Sequence, residues 1–272
     1  MAAWATVYDS VALEFGEVRV VQVRRRAKGC LSYLVGAGNK AFVVDPSADT
    51  EIYTRLADEH GWTIERVFDT HLHADHLSGA RVLSQKTGAY LHLNPADTFE
   101  FPYAPLSDGD RFELSDSVNF QVRAIQSPGH TRGSTVYVVA DRALLSGDTL
   151  FVESVGRPDL ADQADAFARD LYHSLHQQIL TLPDEVLVLP AHYGDVTVHP
   201  DRPVGATLGE LRQALPPLSY DEDSFVSWAT ARSAPRPPNY VDIVQANMGR
   251  SAAPIDTLRQ LEIGPNRCAV SA

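Results

Sequence analysis

The seven residues Thr70-His71-Leu72-His73-Ala74-Asp75-His76 constrain this chain more than any other stretch. They place three imidazoles and a carboxylate within six positions, directly after the short apolar run Glu65–Asp69, which reads as a buried strand. In an extended segment side chains i and i+2 point the same way, so His71 and His73 can converge on one ion. The following residues His76–Thr87 carry Leu77, Ala80 and Leu83 at helical spacing. A helix starting there would turn the chain and send Asp75 and His76 toward a neighbouring point. Four ligand-type side chains packed this tightly would cost free energy if left buried and unpaired, and a bound cation offsets that cost. The bland alternative is a solvated polar loop.

One local cluster cannot complete a coordination sphere, so further ligands are expected at other strand ends. Ser127-Pro128-Gly129-His130 follows the strand-like run Asn119–Ile125, and Ser146-Gly147-Asp148 follows Ala143–Leu145. Leu189-Pro190-Ala191-His192 follows Val186–Leu189 in the same manner. Each alone could be a turn aspartate or a surface histidine; four such clusters in series are jointly much stronger evidence. His173 and His176 sit three apart on a long predicted helix, where a solvated or hydrogen-bonded structural role is expected. His60, His92 and His199 have no partner cluster.

Around these motifs, Val18–Val23, Ser32–Val35, Ala41–Val44, Tyr90–Leu93 and Thr135–Val139 read as strands. Ala48–His60 and Gln163–Leu180 read as helices, the latter with a Phe167, Leu171, Leu175, Ile179 stripe. After about residue 200 the strand signal fades. Leu208–Leu215, Asp221–Ala231 and Tyr240–Met248 look helical, with Ser233–Pro238 as a Pro-rich linker. Strands in a meander, helices between and outside them, suit two sheets flanked by helical layers. The expected organisation is a main domain over 1–200 with a helical extension, 201–272, packed on it. A formal charge of −12, from 23 Lys plus Arg against 35 Asp plus Glu, argues against nucleic-acid or anionic-membrane partners. No stretch approaches the ~18 apolar residues of a membrane helix. The N-terminal residues lack the basic start and apolar run of a signal peptide, and the two cysteines, Cys30 and Cys268, form no framework. A cytoplasmic setting with two free thiols is the expectation.

The order His71-x-His73-x-Asp75-His76, then His130, Asp148 and His192, resembles the metallo-β-lactamase superfamily over about residues 15–200. The resemblance implies an α+β fold, a four-layer αββα sandwich with the site at the open end of its two sheets. It also implies family roles: His71, His73 and His130 around one ion, Asp75, His76 and His192 around a second, and Asp148 able to bridge them.

Two groups within that superfamily share these ligands. One is hydroxyacylglutathione hydrolase (glyoxalase II), a binuclear thioester hydrolase using zinc or a zinc–iron pair. The other is the persulfide dioxygenase group, which uses one Fe(II) and O₂ to oxidise glutathione persulfide to sulfite. Gly147-Asp148 followed by Gly156-Arg157-Pro158-Asp159-Leu160 is similar to the dioxygenase pattern, as are Gly29-Cys30-Leu31-Ser32-Tyr33-Leu34, Asp170–His176, Thr181-Leu182-Pro183 and Ala246-Asn247-Met248. No match to the glutathione-binding helical domain of glyoxalase II follows residue 200. The dioxygenase resemblance implies that His71, His130 and Asp148 form the two-histidine, one-carboxylate face that suits Fe(II), leaving positions open for O₂ and substrate. His73, Asp75, His76 and His192 then orient ligands and water, with Asp75 and His192 as the candidate catalytic groups. Arg157 is the candidate cation for a glutathione carboxylate, against the alternative of a turn-stabilising pair with Asp159 or Asp165. The group also implies a homodimer. The chain departs from the group's pattern where Gly249-Arg250-Ser251 replaces a cysteine after Ala-Asn-Met, and at His192-Tyr193-Gly194-Asp195, which is a residue shorter than the mitochondrial type. A hydrolase would keep all seven ligands on two ions and attack a thioester with a bridging hydroxide. A non-catalytic metal- or redox-sensing module is the third reading.

Overall fold

Period-two burial along the strands sorts the apolar side chains onto three separate interfaces, and those interfaces define the layers. The computed structural model describes residues 7–26, 28–114, 121–159, 163–194, 196–232, 236, 239–263 and 268–270. The first sheet has seven strands in chain order: β1 (Tyr8–Phe15), β2 (Val18–Arg25), β3 (Cys30–Ala37), β4 (Lys40–Val44), β5 (Thr63–Phe68), β6 (Tyr90–Leu93) and β7 (Ala104–Pro105). The second has six: β8 (Arg111–Glu113), β9 (Gln121–Gln126), β10 (Thr135–Val139), β11 (Ala143–Gly147), β12 (Leu187–Pro190) and β13 (Ala206–Thr207), ordered β13-β12-β11-β10-β9-β8. Helices α1 (Glu51–His60), α2 (Ala80–Thr87), α3 (Ala164–Gln177), α4 (Leu208–Ala214), α5 (Glu222–Thr230), α6 (Tyr240–Asn247) and α7 (Ile255–Leu258) complete the described elements.

Val21, Val23, Leu34 and Val43 leave the first sheet on one face and pack under Ile52, Leu56 and Leu83 of α1 and α2. Their neighbours Val20, Tyr33, Val35 and Phe42 leave on the other face and meet Val122, Ala124, Tyr137 and Leu145 of the second sheet. The far face of that sheet, with Val136, Val138 and Leu144, lies against Leu171 and Leu175 of α3 and Phe225 of α5. The result is the αββα sandwich. Each fully buried Val, Leu or Phe removes enough apolar surface from water to contribute ~1.5–3 kcal/mol, so alternation alone fixes which face of each strand points inward.

Strand direction then gathers the loops. β4, β5 and β6 run parallel to one another. In the second sheet β11 and β12 are parallel, and β9 is antiparallel to β10, which is antiparallel to β11. β9, β11 and β12 therefore all run the same way, and the residues following them emerge at one edge.

The structure departs from the sequence expectation most clearly in three places. β1 has no counterpart in it: only Tyr8 of that strand is buried and the rest alternates half-buried with exposed, so the strand is fixed by its eight-residue pairing with β2 rather than by an apolar run. The helix expected from His76 starts at Ala80. The segment before it is pinned by bonds that a helix could not make. Leu77 N donates to the Glu262 carboxylate (2.7 Å), Ser78 N to Asn247 Oδ1 (3.0 Å) and Gly79 N to Pro46 O (2.7 Å). The helix expected over Gln163–Leu180 ends at Gln177 and continues as a tighter turn, Ile179–Thr181. Most of the expected linker Ser233–Pro238, the strand start at Asn119–Phe120, Leu160 and Asp195 lie outside the described residues.

Candidate metal centre

The loop after β5 is held in shape from three directions. Asp45, at the end of β4, sits in the left-handed region (φ 53°), which aspartate tolerates better than most residues. Its Oδ1 accepts from Thr70 N (2.6 Å) and its Oδ2 from Thr70 Oγ1 (2.9 Å). Asp97 accepts from Leu72 N, Thr131 Oγ1 and Gly133 N, each at 2.9 Å, which ties the His71 loop to the His130 loop. Asn247, at the end of α6, donates to the carbonyls of both His73 and His76 (2.9 Å each). Glu262, its side chain 1% exposed, pairs with Arg25 at 3.0 Å while accepting from Leu77 N.

These anchors fix ring tautomers as well as positions. Thr70 Oγ1 spends its proton on Asp45, so it can only accept from His71 Nδ1 at 2.9 Å, which leaves the His71 Nε2 lone pair free. His130 Nδ1 donates to the Arg157 carbonyl at 2.9 Å and likewise frees Nε2. His130 is delivered by Gly129, whose φ of 143° suits glycine. A Cβ there would lie 2.4 Å from that of Leu171. Asp148, one residue past β11, accepts from His192 Nδ1 on Oδ1 at 2.7 Å, leaving Oδ2 for another partner. Gly156 runs directly beside it: a Cβ at 156 would lie 1.9 Å from the Asp148 carbonyl oxygen.

His71 Nε2, His130 Nε2 and Asp148 Oδ2 thus converge. The carboxylate oxygen lies 3.6 Å from the first and 3.5 Å from the second, and all three residues are at most 3% exposed. Each of these three atoms is buried without a hydrogen-bond partner. Two atoms each bonded to one ion at ~2.1 Å lie about 3.0–3.4 Å apart, so the spacing fits a shared divalent cation.

The remaining ligand-type groups are engaged with one another. His73 faces Asp45 (3.2 Å) and Asp69 (3.8 Å) through Nε2. Cys30, Asp75, His76 and His192 form another buried cluster, with Asp75 at 3.1 Å from His76 Nδ1 and 3.0 Å from His192 Nε2. Electrostatics sets His73 and His192 apart from the other three histidines, since His76 is lowered by burial as His71 and His130 are. Burial dominates at His71 and His130 and lowers both, which favours the neutral, ligating imidazole. At His73 and His192 burial opposes protonation, but the adjacent carboxylates outweigh it and raise both well above the usual value. Burial pushes Asp148 up, and His192, His71 and His130 together bring it below the ordinary carboxylate range.

All seven motif residues therefore meet in one region. Arg157 takes up the ion-pair alternative: its guanidinium, 2% exposed, grips Asp159 at 2.7 and 2.6 Å, and its carbonyl holds His130. Sequence reasoning missed Asp45, Asp69, Asp97, Asn247 and both cysteines as neighbours of the site. Cys268 groups with Asp148 and His192, and both cysteines are buried and outside any disulfide. Asp45 carried a usable signal, being a charged residue directly after the strand Val43-Val44, as Asp148 is after its own. A cavity of about 420 Å³ opens beside His130, walled by Leu72, Ala74, Phe167, Val244 and Met248.

An αββα sandwich with this donor set at one edge of its sheets is that of a metal-dependent superfamily, and residues 25–192 match the Metallo-beta-lactamase superfamily model. The chain belongs to the metallo-beta-lactamase superfamily. It is 32% identical to "Persulfide dioxygenase ETHE1, mitochondrial" of Mus musculus, over 81% of this chain and 84% of that one. To the Homo sapiens protein of the same name it is 32% identical, over 80% and 82%. Among solved structures it superposes on ETHE1 from Myxococcus xanthus with a TM-score of 0.74 and 25% identity, covering 85% of this chain and 99% of that one. The Staphylococcus aureus metallo-beta-lactamase gives a TM-score of 0.78 at 26% identity, covering 87% and 74%. Family and donor clusters together imply a bound metal. Among the described residues no helix is long and apolar enough to cross a membrane.

Proposed function

We propose that this protein is a persulfide dioxygenase that holds one ferrous ion on His71, His130 and Asp148. The observation that carries this reading is the pairing pattern within the cluster. His71 Nε2, His130 Nε2 and Asp148 Oδ2 are buried without hydrogen-bond partners, with the carboxylate oxygen 3.5–3.6 Å from each ring nitrogen, whereas Asp75 stands at ion-pair distance from His76 Nδ1 (3.1 Å) and His192 Nε2 (3.0 Å). Two imidazoles and one carboxylate on one face suit Fe(II) and leave the opposite positions open. The curated relatives named as persulfide dioxygenases support the same chemistry.

The reaction is R–S–SH + O₂ + H₂O → R–SH + SO₃²⁻ + 2 H⁺. The S–S bond breaks, the inner sulfur leaves as thiol, and the outer sulfur is oxidised to sulfite by the four electrons that reduce O₂. A ferrous ion in the cage would supply O₂ activation and polarise the outer sulfur. The chain's own residues do the rest. Thr70 and the Arg157 carbonyl fix the two imidazoles in their ligating tautomers. His192 holds Asp148 Oδ1 and so aims Oδ2. Asp75, 3.0 Å from His192 Nε2, provides with that imidazole a relay for the protons released from persulfide and water. Glutathione persulfide, the donor the group implies, is the first substrate to assay. O₂ uptake matched by sulfite, with one iron per chain, is the expected result. Hydrolysis of S-lactoylglutathione without O₂ uptake overturns the proposal in favour of a binuclear hydrolase.

A further inference from the structure

The turn that carries Arg157 is completed from the far end of the chain. Residues 149–157 fold back on themselves: Leu150 bridges Val155, Phe151 N donates to the Ser154 carbonyl (2.9 Å) and Gly156 N to that of Thr149 (3.2 Å). Residues 268–270 lie antiparallel along the second arm of this hairpin. Ala269 bridges Gly156, while Arg157 N donates to the Cys268 carbonyl and Val270 N to the Val155 carbonyl, each at 2.9 Å. Ser154 Oγ donates to the Val270 carbonyl at 2.8 Å. Val270 packs in one apolar cluster with Leu150, Val155 and Leu171, which is reason enough for a tail to dock here. Cys268, 2% exposed, does something more. Its Sγ lies within 4.8 Å of both an Asp148 carboxylate oxygen and a His192 ring nitrogen, and its thiol is in hydrogen-bond contact with the Asp148 carboxylate.

Two lines therefore run from this residue into the three-donor site. Through its carbonyl it pins the backbone of Arg157, whose own carbonyl accepts from His130 Nδ1 at 2.9 Å and so selects the ligating tautomer. Through its thiol it joins His192 as a donor to Asp148. Resting on the dioxygenase reading and deepening it, we propose that Cys268 is a positioning residue of the iron site, its carbonyl steadying the acceptor of His130 and its thiol orienting the Asp148 carboxylate. The side chain suits the task. Cysteine packs as a small hydrophobe yet keeps a weak S–H donor, so it can share an interior strand with Val270 and still offer Asp148 a proton. Supporting groups of this kind set ligand orientation, and with it metal affinity.

The test uses the full chain carrying Cys268→Ala, Cys268→Ser or Val270→Pro, and reads the site without turnover. In anaerobic Fe(II) titration Cys268→Ala should bind iron about tenfold more weakly than wild type, the low end for a group that supports a ligand. Cys268→Ser should recover most of that loss, because its hydroxyl restores the donor. The electron paramagnetic resonance signal of the ferrous–nitrosyl form, which reports the ligand field, should change shape in Cys268→Ala and return in Cys268→Ser. Val270→Pro removes the N–H given to Val155 and so breaks the strand. Nitrogen NMR of the metal-free protein should find one Nδ1–H tautomer of His130 in wild type and a mixture in this variant. Wild-type iron affinity and nitrosyl signal in Cys268→Ala overturn the inference. So does a Cys268→Ser protein as weak as Cys268→Ala, which would make the side chain a space-filler, or an unmixed His130 tautomer in Val270→Pro. Absence of O₂ uptake by the iron-loaded wild type with glutathione persulfide would instead strike the dioxygenase reading, with the metal-binding results still deciding the role of Cys268.

Discussion

The two halves of the histidine–carboxylate cluster use the same residue types and reach opposite states. In one half, His71, His130 and Asp148 turn three unpaired atoms toward a common point. In the other, Asp75 lies at ion-pair distance, within 3.1 Å, of two imidazoles. The difference comes from what stands behind each residue. Thr70 and the Arg157 carbonyl occupy the rear nitrogens of His71 and His130 and leave the front ones bare. Asp75 instead stands between His76 and His192, at 3.1 and 3.0 Å.

The largest effects should come from breaking the first half. Asp148→Ala or His130→Ala should abolish both iron retention and activity, because a three-donor site cannot lose a member and stay selective. Stoichiometric iron in either purified variant would contradict the assignment. Gly156→Ala attacks the same half through the backbone: its Cβ would fall 1.9 Å from the Asp148 carbonyl oxygen, and neither side is a flexible side chain. Elemental analysis should find it largely iron-free even where circular dichroism shows a folded chain. A fully loaded Gly156→Ala protein would show that the Asp148 backbone can move without cost.

Breaking the second half should leave the ion in place. Asp75→Asn is expected to retain iron and lose ~10²–10⁴-fold in kcat, the range for a positioned acid–base group. Loss of metal together with rate would place Asp75 among the ligands. Asn247→Ala sits one step further out: removing its bonds to the His73 and His76 carbonyls should weaken iron affinity by ~10–100-fold, as supporting residues commonly do. An unchanged iron dissociation constant would mean that the loop holds its shape unaided.

The smallest effect lies outside the cluster and checks that the contrast is local. Burial and Arg66 push His92 down to about 4 from 6.5. Between those values the unfolded chain binds more protons than the folded one, so stability is whole above 6.5 and declines as pH falls toward 4. His92→Leu should flatten that part of the denaturant midpoint against pH and leave iron content alone. An unaltered slope would show that His92 titrates normally in the fold.

The sequence made all seven residues visible, and the family resemblance implied how they divide, but what orients each ring stayed hidden. Strand ends could be read from Pro128-Gly129, Ser146-Gly147 and Pro190-Ala191, and so could the residues they deliver. The αββα layering followed from alternating runs such as Val20–Val23. The orientation of each ring depends on Asp45, Asp97 and Asn247, which reach the metal loop from 25 to 174 residues away. Local spacing holds no record of such contacts. Bonds to Glu262, Asn247 and Pro46 likewise displaced the start of α2 from His76 to Ala80, where helical spacing of Leu77 and Leu83 pointed the other way. Arg157 shows the limit from another side: a lone arginine in a turn fits a substrate or a neighbouring aspartate equally well until burial is known.

Metal stoichiometry addresses the contrast most directly. Wild-type protein and Asp75→Asn, each loaded anaerobically with excess Fe(II) and desalted, would be measured for iron per chain. One iron in both proteins is the expected result. Two in the wild type, falling to one in the variant, would show that the second cluster is a metal site and that the division drawn between the halves is wrong.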